Sequence, residues 1–175
     1  MFDEFNILKY FFEEPNREFG VRELSRLSKL SPATISKKLE EFYKKNILIY
    51  RKERIYDLYK SNLNSNEYLD LKIYYNIRLI RESGLIEGLN QFYLKPTIIL
   101  FGSASKGLDT ETSDFDFVVI SENKKSYPTL NEFNKKFKKT IQIFNIKNLN
   151  ELKNEYLINN VLNGIVLQGE INGFK

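Results

Sequence analysis

Between residues 97 and 120, two short apolar runs enclose a loop of small residues, and no other stretch constrains the fold as tightly. Thr97-Ile98-Ile99-Leu100-Phe101 reads as a buried strand. It runs into Gly102-Ser103-Ala104-Ser105-Lys106-Gly107, whose glycines permit tight turning and close approach of backbone to a ligand. A small-residue loop between a strand and a helix N-terminus would direct N–H groups and partial positive charge at phosphate. Next comes Ser113-Asp114-Phe115-Asp116-Phe117-Val118-Val119-Ile120, in which Phe115, Phe117 and Val119 alternate with the two aspartates. On a strand, residues i and i+2 face the same way, so both carboxylates emerge together. Adjacent carboxylates repel unless a cation lies between them. Mg²⁺ suits that place, because it takes oxygen ligands and bridges phosphates.

The composition narrows the chemistry further. The 175 residues contain no Cys and no His. Disulfides, zinc-thiolate sites, Ser-His dyads and most transition-metal sites are thereby excluded. Any catalysis must run on carboxylates, lysines, hydroxyls, backbone groups and hard cations. No apolar stretch approaches the roughly 18 residues needed to cross a bilayer. The acidic start Met1-Phe2-Asp3-Glu4 lacks a signal-peptide layout. A cytoplasmic location with no membrane partner is the expectation.

The first sixty residues read as helix, helix, tight turn, helix and hairpin. Phe2, Phe5, Ile7, Leu8, Phe11 and Phe12 recur at helical spacing until Pro15-Asn16 stops the run. A short helix over 21–28 is expected to bury Val21, Leu24 and Leu27. Ser31 then offers an N-cap and Pro32 suits the first helical position. The helix they open buries Ile35, Leu39 and Phe42. Two strands, 47–50 and 55–59, flank a basic tip of Arg51-Lys52-Glu53-Arg54. Residues 21–54 hold ten Lys or Arg against four Asp or Glu, an excess larger than the net +4 of the whole chain.

This order resembles the winged helix-turn-helix of archaeal and bacterial regulators over about residues 2–60. The resemblance implies a third helix in the major groove of double-stranded DNA and a wing on the backbone. Pro32, Ala33, Thr34, Ser36 and Lys37 would then face bases or nearby phosphates, while Lys38, Arg51, Lys52 and Arg54 would mostly neutralise phosphate. The alternative is a module for protein contacts, with its lysines as a solvated face.

Residues 67–81 are helical in pattern with apolar side chains on more than one face, which is usual for a buried helix. Packing between domains, or against a second copy in a homodimer, is the expectation. Ser83-Gly84 ends it, and a shorter helix follows before Pro96.

Gly102-Ser103 followed by Ser113-Asp114-x-Asp116 is similar to the signature of the minimal nucleotidyltransferases, in the DNA polymerase beta superfamily. The helix near 130–138, the strand 140–146, the helix near 149–162 and the final run 164–169 agree with it. In that family a hydroxyl attacks the α-phosphate of a nucleoside triphosphate, assisted by two metal ions on three carboxylates. The resemblance implies that Gly102, Ser103 and Lys106 bind the nucleotide, with Lys106 standing where many members have Arg. It implies that Asp114 and Asp116 are catalytic and hold Mg²⁺. The third carboxylate position falls on Gln142, and Glu111, Glu122 and Glu170 are the substitutes at hand. The chain is thus expected to be α+β: a winged helix-turn-helix over 1–60, connector helices over 61–93, and a nucleotidyltransferase-like mixed sheet with flanking helices over 94–175. Three functions fit this plan. One is a DNA-binding protein that senses nucleotide. Another is an active transferase using its first domain for docking. The third is an antitoxin-like module with a small toxin-like protein partner, since minimal nucleotidyltransferases are frequently paired with one.

Overall fold

A computed structural model describes residues 2–171, with side chains from residue 5, so the Phe2 side chain and the last four residues lie outside the described part. The chain is α+β and divides into two compact units, Met1–Tyr75 and Asn76–Lys175. Among the described residues, no helix is long and apolar enough to cross a membrane.

The first unit runs α1 (Phe2–Glu13), β1 (Phe19–Gly20), α2 (Val21–Ser28), α3 (Pro32–Lys44), β2 (Leu48–Glu53), β3 (Tyr56–Ser61) and the first ten residues of α4 (Asn66–Glu82). The strands form an antiparallel sheet in the order β1-β3-β2. The α3 helix starts where the sequence says it should. Ser31 is extended, its Oγ accepts the Thr34 N–H at 3.2 Å, and Pro32 takes the first turn. Ile35, Leu39 and Phe42 then meet Phe11, Phe19 and Leu24 in one core. Each such fully buried large side chain stabilises by roughly 1.5–3 kcal/mol.

Two expectations for this unit need correction. Leu27, in the last turn of α2, is 46 % exposed, because the eight-residue helix sends only Leu24 fully into the core. The basic tip is also shorter than the sequence suggests. Arg51, Lys52 and Glu53 belong to β2, since pairing continues to Glu53 opposite Tyr56, and only Arg54 and Ile55 turn. Arg54 takes the left-handed backbone (φ 54°) that such a tight connection demands.

Along α4 the fully buried positions are Tyr68, Lys72, Asn76 and Ile80, one every fourth residue. The helix is therefore buried along a seam rather than all round, and two of the four seam residues are polar. Tyr68 joins the core of the first unit and Ile80 that of the second.

The second unit continues with α5 (Leu85–Tyr93), β4 (Thr97–Phe101), β5 (Phe115–Ile120), α6 (Leu130–Phe137), β6 (Ile141–Ile146), α7 (Glu155–Leu162) and β7 (Ile165–Gln168). Its sheet has the order β6-β5-β4-β7, with β5 and β6 parallel and the other pairs antiparallel. Alternation along β5 gives each face a core. Phe115, Phe117 and Val119 pack with Ile98, Leu100, Leu89 and Phe137, while Val118 packs with Ile99, Phe101 and Val161 of α7.

The helix expected over 149–162 is broken into a 3-10 turn (Leu149–Glu151) and α7. Asn154 is the cause: its Oδ1 accepts the N–H groups of Tyr156 and Leu157 and so caps a fresh helix. No α-helix opens within the small-residue loop either. A three-residue 3-10 turn, Ala104–Lys106, stands there instead, closed by Gly107 at φ +69°.

Candidate functional site

The site forms where β4 ends and β5 begins. Phe101 pairs with Asp116, and Asp116 pairs in parallel register with Gln142 of β6. Asp116 therefore lies between the last residue of β4 and a neutral amide side chain. Asp114 precedes the strand by one residue, and its Oδ2 accepts the amide N–H of Gln142 at 2.5 Å. The three side chains form one polar group at the ends of adjacent strands in a sheet whose interior is apolar.

Gly102 turns the chain away from β4 at φ +74°. A Cβ built there would stand 2.6 Å from Asp116 Oδ2 and 3.6 Å from its Cβ. Only glycine satisfies both the left-handed backbone and the approach of the carboxylate. Ser103 follows, and its carbonyl accepts from Leu108 N–H at 3.0 Å, while Ser105 Oγ donates to the Gly102 carbonyl at 2.9 Å. Lys106 ends the turn with its ammonium near Asn160 Oδ1 of α7, at 3.4 Å.

Electrostatically, the pair is held in an unfavourable state. Burial, and after it the charge of Asp114, pushes the Asp116 carboxyl above the usual carboxylate range. A cation between the two would relieve both effects.

Residues that sequence reasoning missed hold the loop from behind. Asp109 is buried (2 % exposed) and receives Asn76 Nδ2 at 2.8 Å and Lys139 Nζ at 3.2 Å. Asn76 also donates to the Ala104 carbonyl at 3.1 Å, and Lys139 donates to the carbonyls of Thr110 and Ser113. The Thr110 N–H in turn donates to Ser113 Oγ at 2.9 Å. The loop from Gly102 to Asp114 is thus tied at Ala104, Asp109, Thr110 and Ser113. These partners lie about thirty residues apart in sequence (33 and 30 from Asp109) and carry no periodic signal.

The fit of the donor set to Mg²⁺ follows from its carboxylates. Among the described residues, no three His, Cys, Asp or Glu side chains gather as a metal site. Glu111, Glu122 and Glu170 do not join the two aspartates, and Glu122 is paired with Lys147 at 3.0 Å. Two carboxylates remain, with the Gln142 amide beside them. This suits one Mg²⁺ that completes its shell with water and phosphate oxygens, since Mg²⁺ is commonly held by one or two carboxylates. It does not match a set of three carboxylates for two metals.

In the first unit, Thr34, Ser36 and Lys37 are exposed on α3. Lys38 is paired with Glu41 at 2.9 Å. Arg51 is held by both oxygens of Glu18 (3.0 and 2.7 Å) and by Glu53 (2.8 Å), and these carboxylates raise its already high pKa. Lys52 and Arg54 are exposed at the hairpin end. The candidate DNA-binding side chains therefore differ: Lys37, Lys52 and Arg54 present their charge outward, whereas Lys38 and Arg51 spend theirs on neighbours.

No curated protein matches the chain. Residues 82–165, which contain Gly102, Ser103, Lys106, both aspartates and Gln142, match the family model described as a nucleotidyltransferase domain, and the second unit is similar to that family over this segment.

Proposed function

We propose that the second unit binds a nucleoside triphosphate together with Mg²⁺, and that the first unit is a winged helix-turn-helix that docks on double-stranded DNA. The observation that carries the nucleotide reading is the pair Asp114 and Asp116 converging beside Gly102, with Gln142 in the neighbouring register position. In this reading the bare backbone at Gly102 admits the triphosphate close to the strand end. Ser103 and Lys106 contact phosphate oxygens, Lys106 as a point charge without the bidentate fork of arginine. Asp114 and Asp116 hold the metal, which when bound neutralises the triphosphate and polarises its phosphorus.

Transfer to a hydroxyl would place the acceptor on the Gln142 side of the pair. A carboxylate there could accept the hydroxyl proton as the bond to phosphorus forms and pyrophosphate departs. An amide cannot, because it has no accessible protonation near neutral pH. Binding without rapid transfer is therefore the primary activity, and a nucleotide-sensing DNA-binding protein is the function the geometry supports best. Support for the DNA reading is the exposed Lys37, Lys52 and Arg54 on α3 and the hairpin.

The test of the role given to Gln142 is incorporation of α-labelled nucleoside triphosphate by the wild type and by Gln142→Asp. The wild type should transfer slowly, and the variant should gain on the order of 10²-fold. A variant that binds Mg²⁺–nucleotide yet stays no faster than wild type would remove Gln142 as the reason.

A further inference from the structure

A second concave site lies in the first unit, between α3 and the β2–β3 hairpin, and the nucleotide reading makes no use of it. The cleft measures about 250 Å³. Its wall is aromatic: the Tyr43 and Tyr50 rings lie 5.8 Å apart at 57°, and Tyr50 and Tyr59 lie 5.3 Å apart at 50°. Its charged groups are Glu40, Lys44 and Asp57. Lys44 is paired with Glu40 at 2.6 Å, which leaves the Asp57 carboxylate as the net charge of the cleft. Tyr50 donates its hydroxyl to Asp57 at 2.7 Å. That bond makes the Tyr50 ring richer in electrons and keeps its phenol neutral, with a pKa pushed up to about 12.

We infer that this cleft binds an organic cation, an ammonium or guanidinium group lying on the tyrosine faces beside Asp57. Two exposed tyrosines, Tyr43 and Tyr50, backed by the buried Tyr59, together with a net negative charge, are what such a cation seeks, since the quadrupole of each exposed ring attracts it. A phosphate-bearing ligand is disfavoured by Asp57, the charge of the wall that Lys44 does not offset. The volume suits a group the size of one basic side chain or a small amine, below the usual range for larger ligands. The cation could therefore come free in solution or on the basic side chain of a peptide, and the chemistry is the same.

The test uses the full chain, with binding followed by NMR shifts of the tyrosine ring signals. The probes are methylguanidinium, tetramethylammonium, its neutral isostere tert-butanol, and the tripeptide Gly-Arg-Gly with blocked ends. The two free cations should shift the same ring signals, at least about fivefold more tightly than the neutral isostere. Tyr50→Leu and Asp57→Asn should each weaken them by a similar factor, while Tyr50→Phe, which keeps a ring, should lose less. Both Tyr50 and Tyr43 are well exposed (38 % and 49 %), so these variants leave the core intact, and unchanged signals elsewhere verify it. A tripeptide that binds more tightly than methylguanidinium assigns the cation to a protein side chain, and equal affinity assigns it to a small amine. Equal binding of the neutral isostere, no shift by any cation, or indifference to Tyr50→Leu would overturn the inference.

Discussion

At the residue scale, the carboxylate pair carries a cost when no cation is bound. Asp116 is pushed up by burial and by Asp114, so the folded chain holds its proton more readily than the unfolded chain does. The sign follows from linkage. Stability from this group is fully present below its unfolded pKa and is lost as pH rises through the raised folded value. Above that value the ionised carboxylate opposes folding. Asp116→Asn should therefore raise the melting temperature of the nucleotide-free protein at pH 7, and the difference should vanish near roughly pH 3, where the carboxyl is protonated. Thermal unfolding at the two pH values measures this, and an unchanged or lower melting temperature at pH 7 would contradict it. Functional groups that destabilise their own fold are a common arrangement. Much of this residue-level site was legible in the sequence. Alternation along β5 suggested that both aspartates share one side, and the family resemblance pointed to Gln142 as the third position, which pairs in register with Asp116. The Asn76–Asp109–Lys139 brace was not legible, because a buried ion pair between distant segments leaves no local pattern.

At the scale of elements, local chemistry decided where the sequence reading held. The α3 start was readable because Ser31 and Pro32 act within one turn. The ends of β2 and β3 were not, because pairing across the hairpin carries β2 on to Glu53, into what looked like a polar tip, and carries the far end of β3 on to Ser61. The same register sets which charges of the first unit reach outward. Arg51 on β2 meets Glu18 and Glu53, whereas Lys37 on α3 stays exposed. If α3 enters duplex DNA, Lys37→Glu should weaken binding about tenfold at low salt and lower the dependence of log affinity on log salt by about 1. Titration of a labelled duplex at several salt concentrations measures both. Binding insensitive to salt and to this substitution would leave the first unit as a module for protein contacts.

At the scale of the whole molecule, two cores share one helix. The sequence suggested connector helices over 61–93, and these residues divide between the units, with the division at Tyr75 and Asn76 inside α4. Apolar residues on several faces of α4 hid this, since each half serves a different core and the seam itself includes Lys72 and Asn76. In the proposed function, Asp114 and Asp116 beside Gly102 bind nucleoside triphosphate through Mg²⁺. Calorimetric titration of the full chain with ATP and the other nucleoside triphosphates, with and without Mg²⁺, tests it most directly. Saturable binding that requires Mg²⁺ and is abolished by Asp114→Asn is the expected result. Absence of binding to every triphosphate in Mg²⁺, or an affinity that Asp114→Asn leaves unchanged, would contradict it.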